Sequence, residues 1–384
     1  MRVAENVMEY KSLKELTKIT MGQSPDSSSY NEAGEGMPFY QGNADFGEVY
    51  PTPRVWCNAP KKIAHAGDIL ISVRAPIGAL NYANEECCIG RGLAAITIDD
   101  PANRSYIFHL LKARNEELNR QGTGSTFKAI SRKVLETVQV PMIGEEEREN
   151  SMKLMDVLES VIKDRKRQLV AFDELVKARF VEMFGGSQDL DKWKCCHINE
   201  IAKVTVGVVV KPTRFYTDDA QEGVKAFRSL NIREMEINDK DWVYFTKDGN
   251  AQNKKSQLCE GDVLIVRSGY PGTSCVVTSQ YEGCNAIDII IARPDKKRIN
   301  PYYLCAFNNL PHGMNQIQNN VGGAAQQHFN VGRYNMMKIA LPPMDMQDDF
   351  MRFFLKVEQS KVALKRSLQE TQILFDSLMQ QYFS

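Results

Sequence analysis

AGDILISVRAPIGA, residues 66–79, returns as EGDVLIVRSGYPGT at residues 260–273. Each copy sets a Gly-Asp turn ahead of four or five strand-forming residues, then an Arg, a Pro and a Gly. Other matches flank this pair. ELTKITMG (15–22) matches EIAKVTVG (200–207), a shift of 185, and GMPFYQGN (36–43) matches GVKAFRSLN (223–231), whose closing Asn residues are 188 apart. The Gly-Asp strands lie 194 apart. GSTFKAISRKVLETVQVP, ending at Pro141, matches AAQQHFNVGRYNMMKIALP, ending at Pro342, 201 residues on. The order holds while the shift grows, as expected when one copy of a unit of roughly 190 residues gains loop length.

A helical pattern closes each copy. After Pro141, apolar residues stand at Leu154, Leu158, Val161, Leu169, Phe172, Leu175 and Met183, with Arg165 in the gap. The second copy has Phe350, Phe353, Val357, Leu364, Leu368, Phe375, Leu378 and Tyr382. Spacings of three and four place each set on one stripe. No Pro interrupts residues 144–182, and FGG at 184–186 supplies a stop. A helix of about 40 residues is a rod of about 60 Å, too long to bury its stripe alone. The two are expected to pair, in antiparallel fashion; each lying along its own globular region is the alternative. The regions between them alternate short strand runs (DILISV, LAAITI, DVLIVR, AIDIIIA) with turn clusters and a few helices such as residues 105–121. The expected fold class is α+β: two mixed α/β domains related by a pseudo-twofold repeat and joined by two long helices forming an antiparallel coiled coil.

The chemistry that the chain lacks narrows its function. Nine cysteines form an odd set without C-x2-C spacing, so reduced thiols are expected rather than zinc or disulfides. In CCH (195–197) neighbouring side chains point to opposite faces of a strand. GTGSTFK (122–128) has the residue types of a phosphate loop in the wrong order. NAPK and LPPM fail the amino-methyltransferase pattern, PDKKR (294–298) has no second nuclease element, and His65, His109 and His312 stand apart from any nucleophile. No catalytic centre and no metal site are expected. No apolar leader or run of about 18 apolar residues occurs, so the default is a cytoplasmic protein without a membrane.

Lys and Arg number 48, as do Asp and Glu, but their distribution is uneven. Residues 51–143 carry 12 basic against 8 acidic residues and 185–343 carry 19 against 16, while the helical segments lean acidic. Two mildly basic domains on a two-helix spacer suit a duplex read at two places about one turn apart. Because the framework repeats while the loops differ, two different half-sites are expected. A protein-interaction scaffold without a DNA role is the alternative; it does not explain why Arg, Asn and Gln gather in corresponding loops of both copies.

Taken in order, these segments resemble a type I restriction-modification specificity (S) subunit over essentially the whole chain. The resemblance rests on LTKITMGQSP (16–25), the paired GDILISVR and GDVLIVRS strands, and the G-S-T and G-A-A-Q turns leading to VQVPM and ALPPM. The helix endings LVAFDELVKARFVEMFG and QILFDSLMQQYFS complete it. NVGR at 330–333 departs from the family, which often has an Ile-Ser there. The resemblance implies a prokaryotic defence protein: a non-catalytic DNA-recognition subunit with target-recognition domains at 1–143 and 187–343. Long helices at 144–184 and 344–384 would set the spacer of a bipartite site and dock partners, with VIKDRKRQ and SKVALKRS among the docking faces. It further implies two methyltransferase (modification) subunits and, through them, restriction-translocase subunits. S-adenosylmethionine, ATP and Mg would belong to those partners, with no cofactor on this chain.

Forked side chains distinguish base edges: Arg meets guanine, Asn or Gln meets adenine. In the first domain the candidates are Gln41, Asn43, Arg74, Arg91, Thr123, Ser125 and Lys128. In the second they are Arg228, Asn231, Arg233, Arg267, Tyr270, Gln326, Gln327 and His328. Lys211 and Arg214 are better suited to phosphates, which set register without reading sequence. Gly67, Asp68, Gly261 and Asp262 are turn formers. Neutral overall charge predicts weak DNA binding by the chain alone, with partners supplying most phosphate contacts.

Overall fold

A computed structural model describes residues 9–124, 128–186, 189, 192–319 and 329–383. The chain forms two compact units, Met1–Lys166 with Arg366–Ser384, and Arg167–Lys365. Each long helix is thus divided between the units rather than forming a domain of its own.

In the first unit, the quoted strand Ile69–Ser72 lies inside an antiparallel sheet ordered Lys18–Met21, Leu93–Thr97, Ile69–Ser72, Leu80–Tyr82. Ile96 stands opposite both Ile19 and Ile69. Strand alternation sends Ile69, Ile71 and Val73 toward Tyr106, Ile107 and Leu110 of the helix Pro101–Ala113. Leu70 faces the other way, onto Tyr40, Cys87, Ile89 and Ala95. Both faces are buried, which is why the run is apolar but for Ser72, whose hydroxyl donates to the Pro76 carbonyl at 2.6 Å. Gly67 begins it at φ +87°, a conformation that L side chains rarely adopt, and the Asp68 carboxylate closes the turn by accepting the His65 amide at 2.8 Å. A second sheet runs Tyr30–Asn31, Trp56–Cys57, Met37–Tyr40, Cys87–Ile89, Ile63–Ala64. It holds a parallel pair, Phe39 opposite Cys88 and Tyr40 opposite Ile89.

The second unit repeats this plan. Its first sheet is ordered Ala202–Val206, Ile289–Pro294, Val263–Val266, Ser274–Val276. Val263 and Ile265 pack toward Tyr303, Leu304 and Phe307, while Leu264 and Val266 face Phe227 and Ala286. Gly261 again has φ +87°, and Asp262 accepts the Cys259 amide at 2.9 Å. The parallel pair returns as Ala226 opposite Asn285 and Phe227 opposite Ala286. A two-stranded ladder ties the start of each repeat to its end: Glu9–Ser12 with Gln139–Met142, and Cys195–His197 with Lys338–Ala340.

The long helices run Glu145–Phe184 and Met344–Phe383. Within the second unit they pair in antiparallel fashion: Phe180 meets Phe350 at 5.3 Å between ring centres, and, moving backward on one and forward on the other, Asp173 meets Lys361 at 2.8 Å. Within the first unit Arg165 donates to the Ser367 carbonyl at 2.7 Å and to the Thr371 hydroxyl. The buried stripe differs from the one read off the leucines. Leu154 and Leu175, expected in the seam, are each 46% exposed. Leu158 is buried as expected, but Met152, Met155 and Ile162 are buried in place of Leu154, as are Val176, Phe180 and Phe184 further along in place of Leu175. One residue is about 100° of turn, so a stripe counted from Leu154 rather than Met155 points off the seam. Val161, Leu169 and Phe172 are half-buried. On the second helix Phe350, Val357 and Phe375 are buried and Leu364, Leu368 and Leu378 half-buried, with Phe354, Phe383 and a lysine, Lys361, also inside.

Candidate nucleic-acid interface

In the first unit the candidate readers are joined by backbone hydrogen bonds into one edge. The Gly90 amide donates to Tyr40 and the Gly92 amide to Gln41, at 2.8 and 3.0 Å, which sets Gln41 beside Arg91. A Cβ on Gly92 would lie 2.5 Å from the Gln41 carbonyl oxygen, so only glycine permits this approach. Val73 donates to Gly92 at 2.8 Å, bringing the strand end and Arg74 to the same edge. Ala75 donates to Lys128, and Ala129 bridges both Arg74 and Thr123. Gln41, Arg74, Arg91, Thr123 and Lys128 are all exposed. Asn43 is half-buried in the short turn Asn43–Asp45 that follows. Ser125 lies outside the described residues.

The second unit gathers its loops in the same order but uses two side chains differently from the sequence expectation. The Ile287 amide donates to Phe227, the Asp288 amide to Val208, and the Phe329 amide to Arg267. Asn231, expected at a base, is fully buried. Its Oδ1 accepts the Arg228 amide at 3.0 Å and its Nδ2 donates to the carbonyls of Lys240 and Asn238 at 2.8 and 3.3 Å. With its amide committed, it shapes the loop and has no group left for a base edge. Arg267 is also drawn inward: its guanidinium pairs with Asp288 at 2.5 Å and donates to the Phe329 carbonyl at 3.3 Å, leaving the side chain 11% exposed. Asp288, held at φ +50°, is the partner that the sequence did not single out. Arg228 is half-buried and reaches the Asp241 carbonyl at 2.5 Å.

Tyr270 is 85% exposed at the tip of the loop after the repeated strand, between Gly269 and Pro271. Lys211, Arg214 and Arg233 are exposed, with Arg214 folded over the Phe215 ring at 4.4 Å. Gln326, Gln327 and His328 lie outside the described residues.

Of the remaining reactive groups, seven of the nine thiols and the rings of His109 and His312 are buried. Among the described residues no group of three or more His, Cys, Asp or Glu could hold a metal ion. His109 is buried against Asp156 at 3.1 Å, and His312 is buried and bonded to the Gly185 carbonyl at 2.9 Å. No disulfide joins any of the nine cysteines, and burial pushes the thiols of Cys87 and Cys284 up to about 12 and about 11, away from thiolate chemistry. No helix among the described residues is long and apolar enough to cross a membrane. The long helices also keep apolar residues at the surface: Leu154, Val157, Ile373 and Leu374 in the first unit, and Val170, Leu175, Val181, Leu355 and Val362 in the second.

Residues 5–170 match the family described as the type I restriction modification DNA specificity domain. A Methanocaldococcus jannaschii protein, whose name assigns it provisionally as the specificity subunit of the type I restriction enzyme MjaX, is 42% identical over 152 residues. That match spans 39% of this chain and 36% of the relative's length. The type I restriction enzyme MjaIX specificity subunit of the same organism is 22% identical over 89% of this chain and 84% of its own. Among solved structures, the type I restriction-modification system S subunit from M. genitalium superposes with a TM-score of 0.62 over 100% of this chain and 98% of that one. At 12% identity this likeness is one of fold.

Proposed function

We propose, from the premise that this chain belongs through residues 5–170 to the type I restriction-modification specificity family, that it is the non-catalytic subunit that tells the complex where on DNA to act. The observation that carries this reading is the repeat of one sheet-and-loop plan in both units. The same backbone bonds gather the same loops while the side chains on those loops differ. Gln41, Arg74 and Arg91 in one unit, and Arg233 and Tyr270 in the other, carry the chemistry for base edges and base faces. Two frameworks of one design with unlike loops suit a bipartite target with two different halves.

The paired long helices serve as spacer, and their exposed apolar residues are docking faces for methyltransferase subunits, two in number, with restriction-translocase subunits joined through them. S-adenosylmethionine, ATP and Mg act in those partners, and the assembly works in the cytoplasm. Genome-wide mapping of methyladenine in the native host, with and without this gene, tests the reading. Loss of one bipartite motif on deletion supports it and delivers both half-sites; an unchanged map, in a host whose partner subunits are expressed, overturns it.

A further inference from the structure

Two lysine pairs occupy neighbouring places in the repeated plan, one residue out of register with each other. Lys61 and Lys62 lie just before the strand Ile63–Ala64, and Lys254 and Lys255 open the turn Lys254–Ser256. Both pairs precede the Gly-Asp turn of their own copy by a few residues.

Each pair lies next to the parallel strand pair, through a backbone bond in the first unit and a side-chain bond in the second. In the first unit Ile89, on the parallel pair, donates its amide to the Lys62 carbonyl and accepts the Gln23 amide, both at 2.9 Å. The lysine turn and the loop after Gly22 therefore flank one residue. In the second unit Asn285 and Ala286, again on the parallel pair, accept from Ser256 at 2.6 Å and from Val208 at 2.7 Å. Lys254 and Lys255 line a cleft of about 420 Å³ with Val206, Gly207 and Val208. The loop beyond Gly207 bears Lys211 and Arg214.

All four lysines are exposed, and none has a carboxylate within ion-pairing distance among the described residues. Lys61 contributes only a minor part to the lowered Asp26 carboxyl, whose main cause is its bonds from Ser28. Some other lysines of the two units are engaged: Lys163 with Glu48, Lys112 with Glu159, Lys225 with Asp239, Lys247 with Glu222. A pair of adjacent ammonium groups left unpaired beside the reading loops, in both copies of an electrically neutral chain, points to an external anion. An ammonium is a compact charge with rotatable donors and reads no base pattern, so it suits a phosphate oxygen.

We propose that Lys61–Lys62 and Lys254–Lys255 are sequence-independent phosphate anchors, one pair for each recognition domain. This rests on the DNA-reading function proposed above. The test is the affinity of the full chain for random-sequence duplex, followed by fluorescence anisotropy across a salt series, for wild type, K61A/K62A, K254A/K255A and the matching Lys→Arg pairs. Losing two phosphate contacts should lower the salt slope by about 1.8, so the advantage of wild type over either Ala pair should shrink about twelvefold between 50 and 200 mM salt. The Arg pairs should keep the wild-type slope, and melting temperatures should not move. An unchanged slope in both Ala pairs overturns the anchors while leaving the DNA-reading function intact. A wild-type chain that binds no duplex even at 50 mM salt also overturns the anchors, while the DNA-reading function, in which partners supply most phosphate contacts, stands or falls with the methylation map.

Discussion

Lys361 sits inside the helix pair of the second unit with its side chain only 7% exposed. Its ammonium is 2.8 Å from Asp173 on the facing helix and 2.8 Å from Glu358 on its own. Burial by itself would lower its pKa; the bonds it donates to the two carboxylates, with their charges, outweigh that and leave it raised. The two ways of breaking this contact should differ in cost. Replacing the cation by a neutral chain of similar shape, Lys361→Met, removes a desolvated charge and frees two carboxylates that are 55% and 27% exposed, so water can take them. The melting temperature should stay level or rise. Removing both carboxylates, D173A/E358A, leaves the ammonium buried and unpaired. That costs about 3 kcal/mol, the low end for a broken buried pair because Asp173 is half in solvent, or about 6–12 °C for a unit of this size. Calorimetry on the full chain reads the shift, and hydrogen exchange of residues 350–365 localises it. A raised folded pKa means that the contribution is complete below the unfolded lysine value of about 10.4 and is lost as pH rises through the folded one. Lys361→Met should therefore also flatten the alkaline end of the stability curve. If it melts as low as the double variant, Lys361 is not a paired, desolvated cation and the argument fails.

His312 is held neutral, chiefly by burial, with its pKa lowered and its Nδ1 unpartnered. Its contribution is complete above about pH 6.5 and is lost as pH falls, so His312→Gln should weaken the dependence of melting on pH between 7 and 5; an unaltered slope would remove His312 from the account. Tyr270→Ala should change stability by less than about 0.5 kcal/mol, since the ring is 85% exposed. It should still relax one half of the methylated motif, and a motif intact at both halves would rule it out as a reader. Four residues inserted into both long helices add about 6 Å of helix, which should lengthen the unspecified spacer by about two base pairs at 3.4 Å each. New half-sites in the map would contradict a spacer role.

The framework was legible because it is written in strand periodicity and written twice. Ile69 to Val73, apart from Ser72, and Val263 to Val266 are apolar because both faces of the strand are covered, and Ser72 is accommodated by donating its hydroxyl to the Pro76 carbonyl at 2.6 Å. The seam of the helices was less legible. Leu154 and Met155 are neighbours of similar hydrophobicity, and only the core that packs against the helix, including Tyr106, Ile107 and Phe375, decides which of them is covered. Spacing placed Arg165 on the stripe but could not name its partner, and Lys361 was not read as a seam residue at all: a charge is tolerated inside only where a partner such as the Ser367 carbonyl or Asp173 waits, and such partners lie some 200 residues away in the chain. Asn231 failed as a reader because Asn is as good at closing a loop on its own backbone as at meeting adenine.

That last ambiguity can be resolved by comparing the two copies within the chain. A residue type that recurs at one structural position in both must do work that does not depend on which bases are present: Gly67 and Gly261 turn the chain, Asp68 and Asp262 close the turn, and the lysine pairs stand beside the parallel strands. A position where the copies diverge is free to encode a difference between half-sites. The loop after the first repeated strand shows this. It begins Gln-Ser-Pro-Asp-Ser after Gly22, with the Asp26 carboxylate bonded to Ser28, and Val-Val-Val-Lys-Pro after Gly207, with Lys211 at φ +44° and Arg214 exposed. The loops leave the sheet through the same backbone bonds yet present a carboxylate in one domain and two cations in the other. Exchanging these two loops while leaving the lysine pairs in place should alter the half-site preference of both domains and leave the salt slope nearly unchanged, whereas moving the lysines should do the reverse.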